Sequence, residues 1–314
     1  MMLMNNPGRM DYSSILRDVQ SEVLCEIGKG RVADYIPALA NVDPCKFGIA
    51  VCTITGEEWF CGDAIERFSI QSISKLFTLL LALQEVGPDA LWERVGREPS
   101  GSAFNSLVLL EAEKGIPRNP FINAGALVVT DTLVDHLTDP IRHVLSWISE
   151  LTGDSRIHID EEVVRSEFAC GFTNAAIANF LKAHGNLRSD VDAVLHTYYQ
   201  HCGLAMSCLD LARACLPLAN SGLSPRTGRV VMPAARARRV NSLMLTCGLY
   251  DGVGNFAFRV GIPAKSGVGG GIVGVVPGHL TICVWSPELD EAGNSLAGTK
   301  ALELFTVKTG LSIF

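Results

Sequence analysis

The chain has 314 residues, is 48% hydrophobic and 19% charged, and carries a net charge of −7 at pH 7. That supplies a sizeable core without disulfide staples, and the acidic balance with no long basic run argues against nucleic acid or an anionic membrane surface as partner. The longest apolar run, Leu76 to Leu83, is far short of the ~20 residues of a membrane helix.

The opening Met1-Met2-Leu3-Met4-Asn5-Asn6-Pro7 lacks a basic region followed by an apolar stretch and a small-residue cleavage site. No secretory signal is read there, and a cytoplasmic protein with no membrane partner is expected. Ten cysteines are scattered without a C-x-x-C or a histidine pair at ligand spacing, so they are expected to be reduced core residues. No metal and no cofactor are expected, and the seven histidines are given solvated or structural roles.

In chain order, Tyr12 to Ile27 has Ile15, Val19, Val23 and Ile27 at helical spacing, with Ser13 or Ser14 as cap and Gly28 as stop. Phe47 to Thr53 and Trp59 to Cys61 read as a hairpin turning at Gly56. The apolar run from Leu76 reads as a buried helix. From Asp89 to Ser221 strand signals fade, and Ala124 to Leu137, Ile141 to Leu151, Asn174 to Lys182 and Leu209 to Asn220 are the clearest helices. Strands return at Phe256 to Val260, Ile272 to Val276 and Leu280 to Trp285, joined as a meander, before a last helix from Leu296 to Lys308. Strands near both ends around a helical block imply an α+β fold. One antiparallel sheet is built from residues 1–88 and 222–314, flanked by helices, with 89–221 inserted as an all-helical subdomain of a single domain.

The chemistry starts at Ser72-Ile73-Ser74-Lys75, at the head of that buried helix. With ~1.5 Å of rise per residue, serine and lysine stand about one turn apart on nearly one face, which is the S-x-x-K arrangement of serine acyl-transfer enzymes. A serine hydroxyl needs a base to become a nucleophile, and a lysine serves only if its pKa falls from ~10.4 towards neutrality, as burial makes it do. Lys265-Ser266-Gly267 reads as the end of one strand turning into the next and is similar to the K-T-G companion of S-x-x-K sites. Glycines there allow close backbone approach, so the NH groups of Val268 and Ser72 form a candidate oxyanion hole.

The two motifs together resemble the β-lactamase and penicillin-binding-protein fold, and longer words narrow the likeness. Gly30 to Pro37, Phe68 to Lys75, Glu98 to Gly101, Phe104 to Ser106, Pro117 to Ala126, Tyr250-Asp251 and Val260 to Val268 resemble the serine-dependent glutaminases, in order and across most of the chain. The resemblance implies hydrolysis of L-glutamine to L-glutamate and ammonia, with Ser72 as nucleophile and Lys75 as base. It also implies substrate binding by Tyr35, Asn123, Glu167, Asn174, Tyr198, Tyr250 and the backbone of Val268, and assembly as a homodimer or homotetramer.

The residue types agree with that substrate: Glu167 suits an α-amino cation, while Asn123, Asn174 and Tyr198 offer donors to an α-carboxylate. Tyr250 is placed to protonate the departing ammonia or to share a proton with Lys75. The chain departs from the family pattern at Thr173, where arginine is expected, and at His201-Cys202-Gly203, where Gln-Cys-Ser is expected. Two readings on the same fold stay open: a penicillin-interacting serine hydrolase or esterase, which the missing export signal disfavours, and a non-enzymatic amino-acid sensor, which the presence of Ser72, Lys75 and Lys265 disfavours.

Overall fold

The computed structural model describes residues 10–101 and 103–314, so the N-terminal segment read above for a secretory signal lies outside the described residues. The α+β sheet expected from sequence is present, with five antiparallel strands in the order β2-β1-β8-β7-β6. These are β1 (Gly48–Thr53), β2 (Glu58–Gly62), β6 (Ala264–Ser266), β7 (Gly271–Val276) and β8 (Leu280–Trp285). The first strand of the chain pairs with the last, Ile49 opposite Val284 and Val51 opposite Ile282, so distant segments close one sheet.

Alternation along the strands explains the two cores. Ile49, Val51, Ile272, Ile282 and Val284 face one side and pack with Leu16, Val19, Leu302 and Phe305 of the helices Tyr12–Val23 and Leu296–Thr309. The intervening Ala50, Cys52, Val273, Val275 and Cys283 face the other side and pack with the helices Ser74–Glu85 and Cys208–Ala219. Central strands covered on both faces are uniformly apolar, which is why β1, β7 and β8 read as continuous hydrophobic runs. A second small sheet, β3 (Phe68–Ser69), β5 (Leu204–Met206) and β4 (His158–Ile159), ties the chain just before Ser72 to the end of the helix Val191–Cys202.

Several local expectations change. Phe256 to Val260 is no strand: Val253–Arg259 is a helix, with Phe256 buried and Phe258 90% exposed. Five residues, four of them apolar, are too few to distinguish a helical from a strand period, and the strand that carries the K-S-G motif is Ala264–Ser266 itself. The helix Ala234–Cys247 stands in a stretch to which no element was assigned; its buried Ala237, Val240, Leu243, Met244 and Cys247 follow helical spacing. The helices Glu161–Cys170 and Val191–Cys202 also went unread, the latter because Thr197-Tyr198-Tyr199 are strand-favouring residues overridden by packing. Asp11, rather than Ser13 or Ser14, caps the first helix, which ends at Val23. All ten cysteines are free, but Cys25, Cys45 and Cys170 are exposed and only six are fully buried. Among the described residues no helix is long and apolar enough to cross a membrane.

Candidate active site

Ser72 does not sit in the first turn of the long helix but in a 3-10 turn, Gln71–Ile73, that leads into it. Gln71 before it has φ 48°, a left-handed conformation that costs an L-residue with a side chain about 1–2 kcal/mol and persists only where the surroundings enforce it. Here they do. Ile70 N–H donates to Leu204 O (2.9 Å), the Gln71 amide donates to Ser69 Oγ (3.1 Å), and Ser69 Oγ donates to Cys202 O (2.9 Å).

The turn is also pressed against the strand bearing the second motif. A Cβ on Gly267 would stand 2.4 Å from Ile70 O and 3.2 Å from Ser72 N, and one on Gly269 would stand 2.2 Å from Ser69 O. Only glycine allows two backbones to approach so closely. Lys265 and Ser266 lie behind this contact: Lys265 Nζ donates to Gly248 O (3.0 Å) and Ser266 O (2.5 Å) and sits 4.6 Å from the centre of the Tyr250 ring. Burial, reinforced by the charge of Lys75, holds the Lys265 ammonium well below its ordinary pKa.

Lys75, in the first turn of the helix Ser74–Glu85, is 1% exposed. Its Nζ donates to Asn123 Oδ1 (2.7 Å) and to Phe121 O (3.2 Å). Burial lowers its pKa from 10.5 to about 8, against the pull of Cys202 and Glu167 towards the charged form. Asn123 opens the helix Asn123–His136 without capping it, and its Nδ2 donates to Asn174 Oδ1 (2.9 Å) in the helix Phe172–Ala183. Glu167 is 7% exposed; burial raises its pKa, and the Gln71 amide and the Lys75 charge oppose the rise.

Tyr250 takes φ 51° at the start of a short 3-10 turn, and burial raises its hydroxyl pKa. That hydroxyl makes no hydrogen bond of ordinary geometry among the described residues, while Ser72 and Ser266 lie near enough to draw its pKa back down.

Tyr35, Ser72, Asn123, Glu167, Asn174, Tyr198 and Val268 meet on the wall of one cavity of about 300 Å³. Lys75, Tyr250, Lys265, Ser266 and Gly267 stand off that wall. Tyr35, 54% exposed, is at the rim, where it also borders a larger neighbouring cavity of about 580 Å³ together with Phe104 and Val268. The cavity further includes Gln71, Asn105 and Cys170, which sequence reading did not single out. Gln71 falls within the stretch Phe68 to Lys75, but its left-handed backbone leaves no mark in composition or periodicity.

Of the departures from the family pattern, Thr173 is on the cavity wall, and His201 is fully buried behind Ser74. Gly203 is packed so closely that a Cβ would stand 2.7 Å from Val164 Cγ2. Among the described residues no group of three or more histidine, cysteine or acidic side chains is arranged to hold a metal ion.

A family model described as Glutaminase matches residues 30–314. The chain is 54% identical over 302 residues to a glutaminase of Aeromonas salmonicida, covering 96% of this chain and 99% of that protein. Among solved structures it resembles Mglu in its glutamate form, at TM-score 0.91 and 38% identity over 98% of this chain and 70% of that one. It likewise resembles a probable glutaminase from Bacillus subtilis complexed with 6-diazo-5-oxo-L-norleucine, at TM-score 0.87 and 33% identity over 99% and 100% of the two chains.

Proposed function

Because the chain belongs to the glutaminase family and is a hydrolase of the glutamine side-chain amide, we infer that it works through an acyl-enzyme on Ser72, with Lys75 as the base. The observation that carries this reading is a fully buried lysine, its pKa brought down to about 8, three residues after a serine on the cavity wall. A neutral Lys75 takes the Ser72 proton as the oxygen attacks the amide carbon, and the NH groups of Ser72 and Val268 receive the developing oxyanion. Collapse releases ammonia, protonated by Lys75 or Tyr250, and water then attacks the ester to free glutamate.

Glu167 faces the substrate α-amino group, and its desolvated carboxylate makes that pairing stronger than it would be in water. Asn123 gives one amide hydrogen to Asn174 and keeps another; with Asn174 and the hydroxyls of Tyr198 and Tyr35 it offers donors to the α-carboxylate. Lys265, Ser266 and Gly267 support the site by fixing the strand against the Ser72 turn. The solved relatives holding glutamate and 6-diazo-5-oxo-L-norleucine support a ligand of this size and charge.

We further read the chain as a single domain whose part 89–221, mainly helical rather than all-helical as expected because it holds the short strands His158–Ile159 and Leu204–Met206, is inserted into the sheet-bearing part, as a cytoplasmic protein, and as a homodimer or homotetramer. Light scattering of the purified protein tests the last point. The mechanism is tested by ammonia release from glutamine together with mass spectrometry after 6-diazo-5-oxo-L-norleucine. Turnover abolished in Ser72→Ala, with the adduct on Ser72, is the expected result. An adduct on a cysteine, or turnover of esters or β-lactams in place of glutamine, overturns it.

A further inference from the structure

Behind the nucleophile turn, His201 is completely buried between two hydroxyls, with Nδ1 2.7 Å from Ser74 Oγ and Nε2 3.1 Å from Thr130 Oγ1. Each hydroxyl also has a backbone acceptor of its own, Gln71 O at 2.7 Å from Ser74 and Ala126 O at 2.8 Å from Thr130. The protons do not satisfy all four contacts at once. If both hydroxyls donated to their carbonyls, both ring nitrogens would have to donate, and the ring would be a cation.

Burial beside the charge of Lys75 keeps the ring neutral, with its pKa brought down to about 3. One nitrogen therefore accepts. The other donates, and in either tautomer the ring joins the Ser74 hydroxyl to the Thr130 hydroxyl while one of the two carbonyl contacts is left without its proton. Ser74 stands between Ser72 and Lys75, Thr130 lies on the helix that Asn123 opens, and His201 shares its own helix with Tyr198.

We propose that His201 is a positioning residue for the hydrolytic step: it clamps Ser74 to the Asn123–His136 helix and so fixes the separation of the Ser72 hydroxyl from the Lys75 amine. The proposal rests on the reading of Ser72 as nucleophile. The ring touches neither substrate nor the reacting atoms. Misplacing a nucleophile and its base by ~1 Å is enough to cost on the order of 100-fold in rate, whereas substrate binding, made by other side chains, stays intact.

The test compares wild type, His201→Phe and His201→Gln. Phenylalanine fills the site and leaves both hydroxyls bonded to their own carbonyls. Glutamine keeps one donor and one acceptor, spaced much as the two ring nitrogens are. The measurements are kcat, KM, the rate of adduct formation by 6-diazo-5-oxo-L-norleucine with the site located by mass spectrometry, and Tm. The expected result for His201→Phe is a kcat and a labelling rate at Ser72 each at least tenfold lower, with KM within about twofold, while His201→Gln stays within about threefold of wild type. Should His201→Phe fail to fold, Ser74→Ala cuts the same clamp and carries the same expectation. A lowered Tm with kcat and labelling rate unchanged overturns the proposal, as does an equal loss of kcat in His201→Gln. Label found on a residue other than Ser72 overturns the serine reading and this proposal with it.

Discussion

Lys75 Nζ lies 2.7 Å from Asn123 Oδ1, and both side chains are buried. The amide oxygen accepts from either an amine or an ammonium, so this contact holds the nitrogen in place in both of its protonation states.

The first prediction is a pH dependence. A lysine acting as base has to be neutral, so kcat/KM should rise about tenfold per pH unit below the Lys75 pKa and level off above about pH 8. Glu167, raised by burial above the ordinary glutamate value, adds a further loss at lower pH. Initial rates of ammonia release from pH 5 to 10 check this. A profile flat through pH 7 to 9 would rule out Lys75 as the titrating base.

The same depressed pKa penalises the fold. Between the folded value of about 8 and the unfolded value near 10.5 the unfolded chain binds more protons, so stability rises with pH across that window. Below pH 8 the full penalty is present, about 3 kcal/mol for the difference between the two values. Lys75→Met removes it and gives part of the gain back by leaving Asn123 Oδ1 and Phe121 O without their donor. The variant should be inactive, more stable to urea than wild type at pH 7, and progressively less favoured as pH approaches 10. A stability difference independent of pH would contradict the assignment.

Gly267→Ala tests the contact between the two motifs. Its Cβ meets Ile70 O and the Ser72 amide rather than a flexible side chain, so the strand and the Ser72 turn have to separate. We expect kcat to fall on the order of 100-fold, since a shift of ~1 Å at a nucleophile costs about that much. Circular dichroism should show the fold retained. Wild-type kcat in this variant would mean that the two backbones need not touch for catalysis.

Selectivity follows from holding the α-end. With the amino group on Glu167 and the carboxylate on Asn123, Asn174 and Tyr198, asparagine is one methylene too short to bring its amide carbon to Ser72. Its kcat/KM should lie on the order of 100-fold below that of glutamine. Glu167→Gln should lower use of glutamine by the worth of a charge-assisted hydrogen bond, roughly 1.5 to 3 kcal/mol. The check is kcat/KM for both amino acids in both proteins, and equal use of the two by wild type would show the α-end assignment to be wrong.

Sequence alone determined four of the five sheet strands, the buried helix after Ser72 and the two motifs, because each leaves a local mark, whereas Tyr35, Asn123, Glu167, Asn174 and Tyr198 came from the family resemblance and Gln71, Asn105 and Cys170 of the cavity wall were not singled out. Continuous apolar strands, a serine and a lysine three apart, and glycines beside a lysine on a strand can all be read within a few residues. It misassigned Phe256 to Val260 and passed over the helices that carry Glu167 and Tyr198, because short apolar or β-branched runs satisfy both periods and only packing chooses between them.

The tertiary structure alone decided which groups became neutral, strained or shared. The lowered Lys75 pKa comes from burial by elements far apart in sequence. The left-handed Gln71 is enforced by bonds to Ser69 and the chain around Leu204, and His201 acquires a role only because two helices bring Ser74 and Thr130 to its two nitrogens. Desolvation, backbone strain and proton accounting depend on what surrounds a residue in space, and the order of residues along the chain does not record it.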